Sequence, residues 1–71
     1  MYGIVPSMTP KRFSALARLI RMRRGAAEEA ARLVLVDGMR PIEAARRIGL
    51  SPQSVSNAVA RVRRAERALT F

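Results

Sequence analysis

Between Pro41 and Ala60 the chain reads PIEAARRIGLSPQSVSNAVA, a pattern that fits a short helix, a glycine turn and a second helix, and little else. Two helices joined through a three-residue turn need a tiny residue where their backbones approach, a turn residue that tolerates positive φ, and apolar residues that lock the pair. Ala45, Gly49 and the set Ile48, Leu50 and Val55 supply these in turn. Pro41 suits a first helical position, where a missing N–H costs nothing; Pro52 does the same for the second helix, with Ser51 before it as the cap. At about 100° per residue, Gln53, Asn57, Ala60, Arg61 and Arg64 share one arc of that second helix, opposite Val55, Ala58, Val59, Val62 and Leu69. A polar, amide-bearing and basic face that begins in the first turn of the second helix is the arrangement with which a helix-turn-helix meets base edges in the DNA major groove.

Charge points the same way. The 71 residues carry 14 basic and five acidic side chains, a formal net charge of +9, and all the basic ones except Lys11 are arginine. Arginine's planar fork suits phosphates and guanine edges, so a polyanion is the expected partner. Without histidine or cysteine the usual general base, thiol nucleophile and soft metal ligands are missing, and Glu28, Glu29, Asp37, Glu43 and Glu66 form no ligand-like cluster. Ser51, Ser54 and Ser56 have no visible base, which favours capping and polar contact over nucleophilic work. The sequence therefore predicts a non-enzyme with no metal and no small-molecule cofactor. It shows no targeting signal and no run approaching the roughly 18 apolar residues of a membrane span, and the absence of cysteine fits a reducing cytoplasm.

The expected fold is all-α: a small domain of four to five helices containing the helix-turn-helix, over residues 9–71, preceded over residues 1–8 by an extended arm or a frayed tail. Many of the apolar residues are alanines, so the core is expected to be thin and self-association to help. Thr9-Pro10 is a cap-then-proline start for a first helix over about Pro10–Met22, with Phe13, Leu16, Ala17 and Ile20 on its inner face. Its other face holds Lys11, Arg12, Arg18 and Arg21, continuing into Arg23 and Arg24, and is read as a phosphate clamp in preference to a merely solvated face. Gly25 breaks the pattern; Glu28 and Glu29 then open a second helix, with Ala27, Ala30, Ala31 and Val34 inward, and Asp37-Gly38 closes it. The run Leu33–Val36 is apolar all round, a buried helix end or, less readily, a short strand. Ile42, Ala45 and Ile48 give the third helix its inner face, and the fourth runs to about Ala68. Glu66 falls on the buried side of that last helix, which implies either loosened packing there or a facing partner chain.

Asn and Gln each make paired contacts with adenine, and each good pair contributes roughly 1–3 kcal/mol of discrimination. Gln53, Ser54 and Asn57 are accordingly the expected base readers. Arg61, Arg64, Arg46, Arg47, Lys11, Arg12, Ser51 and Ser56 are the expected contacts to the DNA backbone, with Ser54 and Ser56 able to reach phosphate or base.

The segment from Ala31 to Val62 resembles the DNA-binding domain of the TrfB/KorA family of plasmid global repressors. The likeness centres on A-R-x-V-L-V-D-G at Ala31–Gly38, on G-L-[ST] at Gly49–Ser51, and on A/S-V-S-[QN]-A-V-x-R-V at Ser54–Val62, with T-P-K-R-F at Thr9–Phe13 similar to the family's opening helix. The resemblance implies a helical domain that binds a short palindromic operator as a homodimer and represses transcription in the bacterial cytoplasm, on plasmids or other mobile elements. It places Ser51, Ser56 and Asn57 at or next to the operator. Pro52 and Asn57 depart from the arginine and glutamine of a family relative, so the operator sequence does not carry over. The family's C-terminal dimerisation region has no counterpart before the chain stops at Phe71, so dimerisation is expected to use another surface or to fail.

The leading expectation is thus a sequence-specific transcriptional repressor acting on double-stranded DNA by operator occupancy. The alternative is a small phage or plasmid protein-interaction factor that uses the same fold to engage RNA polymerase or another regulator, but such a module has no need of arginines along the reading face. Non-specific nucleic-acid coating is a further rival, disfavoured for single strands by the mere three aromatics Tyr2, Phe13 and Phe71. A membrane-lytic role is least consistent with charges spread over several capped helices.

Overall fold

A computed structural model describes residues 8–69, which form four helices in an all-α domain: α1 (Pro10–Leu19), α2 (Ala26–Leu35), α3 (Pro41–Ile48) and α4 (Pro52–Leu69). No strand occurs among the described residues, so Leu33–Leu35 belong to a helix end, as the apolar run favoured. The expected N-terminal arm lies outside the described residues except for Met8. Met8 is buried against α1 and α4, so the core begins one residue before the expected domain boundary.

Local chemistry accounts for each start. Thr9 accepts a 3.2 Å hydrogen bond from the Arg12 N–H and precedes Pro10, so one otherwise orphaned donor is satisfied and another is never present. Glu28 and Glu29 open α2 and Glu43 opens α3, placing carboxylates at the positive ends of the helix dipoles.

The first helix is shorter than its spacing predicts. It stops at Leu19 instead of Met22 because Arg21 adopts a left-handed conformation, φ 55°. The Arg21 N–H donates to the Arg18 carbonyl at 3.0 Å and the Met22 N–H to the Ala17 carbonyl at 2.9 Å, a Schellman closure in which buried Met22 folds back onto buried Ala17. Arginine occupies a position where glycine is the usual resident, because a Cβ there approaches the following carbonyl. Arg21→Gly is therefore expected to raise stability by up to about 1 kcal/mol in urea unfolding, the relief of roughly 1–2 kcal/mol of left-handed strain less the roughly 0.4–1 kcal/mol that glycine's freedom costs through the unfolded chain. A loss of stability would show that the arginine side chain makes a compensating contact.

Helices α2 and α4 carry the core on two sides. On one, Phe13, Leu16 and Ala17 of α1 with Met8 and Met22 pack on Ala31, Leu35, Ala58 and Val62. On the other, Ala44 and Ala45 of α3 pack on Ala30, Val34 and Val55, with Met39, Ile48 and Leu50 at the edge. Val59 of α4 touches both groups and joins them. Alanines at 17, 30, 31, 44, 45 and 58 are all buried, so the helices approach closely and the large side chains are few.

Three expected inward positions face solvent. Ala27 and Leu69 lie in line with their buried neighbours, but in the first turn of α2 and the last turn of α4, where the covering helices do not reach; both are exposed. Ile42 is 51% exposed because the buried arc of α3 is centred on Ala44, Ala45 and Ile48, and Ile42 projects about 110° away from it. Glu66, by contrast, is accounted for within the chain. Its Oε2 accepts from Arg12 Nε at 3.1 Å, which ties the start of α1 to the end of α4 without any partner molecule.

Candidate nucleic-acid interface

The turn between α3 and α4 is Gly49, Leu50 and Ser51. Gly49 adopts φ 88°, ψ 32°, and its N–H and that of Leu50 donate to the Ala45 carbonyl at 2.8 and 2.9 Å. The chain thereby reverses tightly at the end of α3, and half-buried Leu50 and buried Val55 pack into the same apolar group as Ala45 and Ile48. Ser51 then caps α4: the Ser54 N–H donates to Ser51 Oγ at 3.1 Å, and Ser51 Oγ donates in turn to Ser54 Oγ at 3.0 Å. A cap of this kind contributes about 1 kcal/mol, and here it also fixes which side of α4 its first turn presents.

That side is open. Gln53, Ser54, Asn57, Ala60, Arg61 and Arg64 are all exposed, while Val55, Ala58 and Val62 on the other side are buried. With 18 residues, α4 is about 27 Å long, and a helix with its side chains is about 10–12 Å across, the scale of the roughly 12 Å width of a B-DNA major groove. No acidic residue stands on this ridge, since Glu66, the single acid of α4, projects about 180° from Asn57 and is engaged by Arg12. Within the first turns the Gln53 amide donates from Nε2 to Asn57 Oδ1 at 3.1 Å, so the two amides form a connected pair. Further along, Arg61 and Arg64 flank a shallow groove floored by Ile20, Ala65 and Ala68, which brings the end of α1 beside the basic part of the ridge.

Compared with protein-family models, curated proteins and solved structures, the chain shows no significant match. The likeness to plasmid repressors therefore rests on the motifs at Ala31–Gly38, Gly49–Ser51 and Ser54–Val62, with Thr9–Phe13 beside them.

The structure brings Ser51, Gln53, Ser54, Asn57, Arg61 and Arg64 onto one open surface, with Ser56 exposed on its flank. It does not bring Arg12 there. Arg12 reaches Glu66 on the opposite side of α4, near the end of the helix remote from Gln53. Lys11 and Arg18 instead share an exposed patch of α1 with Ser14 and Ala15. Arg46 and Arg47 are exposed on the outer side of α3, around a hollow they share with Glu43 and Met39, so a carboxylate tempers their charge. Glu43 also meets Arg40, at 3.9 Å. The amide-to-amide bond is legible in the i, i+4 separation of Gln53 and Asn57, whereas the approach of Ile20 to the arginines depends on the packing of α1 across α4.

Proposed function

We propose that this protein is a sequence-specific DNA-binding module, a helix-turn-helix whose α4 enters the major groove, and that it acts as a transcriptional repressor by occupying an operator. The observation that carries this reading is the open ridge of α4: amides in the first turns, arginines beyond, and no carboxylate along it. In this reading the amide and hydroxyl side chains of Gln53, Ser54 and Asn57 form the base-facing part of the ridge, Arg61 and Arg64 hold phosphates, and Ser51 and Ser56 contact the backbone where α4 begins. Arg46 and Arg47 add to the attractive field, and Arg12 serves the fold. Repression of a palindromic operator needs two copies with their reading helices about 34–36 Å apart, so a homodimer on DNA belongs to the proposal. Likeness to the TrfB/KorA motifs supports the same reading and adds the bacterial, plasmid-borne setting.

The division of labour gives two expected results. Asn57→Ala should lower affinity for a selected operator about ten- to hundredfold while leaving affinity for scrambled duplex nearly unchanged, measured by fluorescence anisotropy. Equal losses on both duplexes would contradict base reading. Arg61→Gln and Arg64→Gln should each weaken binding to every duplex and reduce the slope of log affinity against log salt by about 0.9 for each phosphate no longer neutralised. An unchanged slope would remove these arginines from the interface. The rival reading, a protein-docking module, has no use for a salt slope on duplex DNA.

A further inference from the structure

We infer that Gln53 and Asn57 act as one reading unit that selects adenine in a single A·T pair, with Asn57 making the base contact and Gln53 positioning it. The inference deepens the proposed DNA reading and rests on it. Its basis is the 3.1 Å hydrogen bond from Gln53 Nε2 to Asn57 Oδ1, formed on the exposed ridge one helical turn apart.

A lone asparagine on a solvated helix rotates freely about its last torsion and presents its donor and acceptor in either order. Here the Gln53 N–H marks one end of the Asn57 side chain as the acceptor and holds it. The Nδ2 group of Asn57 keeps both its N–H donors, and Oδ1 keeps a second lone pair. A donor and an acceptor side by side, in a fixed order, match the major-groove edge of adenine, whose N7 accepts and whose N6–H donates. Guanine offers N7 and O6, both acceptors, so Asn57 Oδ1 would face O6 with no proton between them. Cytosine and thymine each offer a single polar group in the groove and satisfy half of the amide.

Gln53 is the supporting member because it spends an amide donor on its neighbour, its longer side chain reaching one turn along the ridge to Asn57. Restricting Asn57 before DNA arrives lowers the ordering cost at the moment of binding, which is how a positioning residue sharpens a contact it does not make.

The test is selection of binding sites from a random duplex pool by the wild-type chain, Gln53→Ala and Asn57→Ala. Both substitutions lie on exposed helix positions, and unchanged helical circular dichroism checks that folding is preserved. The expected result is a wild-type site with one A·T pair whose preference, about ten- to hundredfold, is lost in Asn57→Ala and weakened at that same pair in Gln53→Ala. Replacing that adenine by purine, which lacks the N6 amino group, should reproduce the loss for the wild type and add little for Asn57→Ala. If Gln53→Ala relaxes a different base pair and leaves the Asn57-dependent one intact, the two side chains read separately and the inference is overturned. A selected site in which no A·T pair depends on Asn57 overturns it equally. Failure of the pool to enrich for any sequence overturns the proposed DNA reading itself, a distinct outcome.

Discussion

Phe13→Ala is expected to leave the chain largely unfolded at room temperature. Phe13 is 1% exposed and is the largest fully buried side chain of the domain, set among Leu16, Ala31, Leu35, Ala58 and Val62. Truncating a buried phenylalanine costs about 3–5 kcal/mol through diminished transfer energy and the cavity left behind. A single core in a domain this small rarely supplies more than about 3–5 kcal/mol in all, so the substitution consumes the whole margin. Alanine neighbours aggravate the effect, since short side chains cannot swing in to fill the void. Far-ultraviolet circular dichroism with urea titration reads the outcome. A cooperative transition near the wild-type midpoint would mean that α1 is dispensable to the core.

The next largest effect is expected at the turn. Gly49→Val should destabilise the protein by roughly 2–3 kcal/mol and abolish the proposed DNA binding, because valine is forced into the left-handed region that Gly49 occupies at φ 88°. Space is not the obstacle: a Cβ at Gly49 meets no heavy atom within 4 Å. The penalty is conformational, which makes a specific contrast available. Gly49→Asn should cost clearly less than Gly49→Val, since asparagine tolerates the left-handed region through its short polar side chain. Equal losses for Asn and Val would point to a steric or packing cause and contradict the turn geometry.

The elements that sequence made legible are those whose boundaries are set by local chemistry. Thr9-Pro10, Ser51-Pro52 and Gly49 state their roles through a cap, a missing donor and a positive φ, and each is found in that role. Gly38, at φ 77° after α2, belongs with them. Legibility fails where tertiary packing overrides a local pattern. Nothing in RLIRMRR announces that Arg21 leaves the helix; the turn forms there because Met22 gains a place in the core by folding back on Ala17. Ala27 and Leu69 obey helical spacing yet stay exposed, because periodicity tells which side a residue faces and not how far the neighbouring helix extends. Arg12 illustrates the same limit for the candidate interface. As part of a basic run it reads as a phosphate contact, and only the approach of α1 to the end of α4 reveals Glu66 as its partner. The ridge from Gln53 to Arg64 was legible because one capped helix carries all of it, whereas the contributions of α1 and α3 depend on how separate helices are set against one another.

Amide chemical-shift mapping by nuclear magnetic resonance, with an unlabelled duplex titrated into the isotope-labelled chain, tests the role of the α4 ridge most directly. The expected result is a set of perturbations concentrated on Ser51, Gln53, Ser54, Asn57, Arg61 and Arg64, with Arg12 and Glu66 undisturbed across the helix. Perturbations centred on the Lys11–Arg18 patch of α1, or a duplex that leaves the ridge unchanged at low salt, would contradict it.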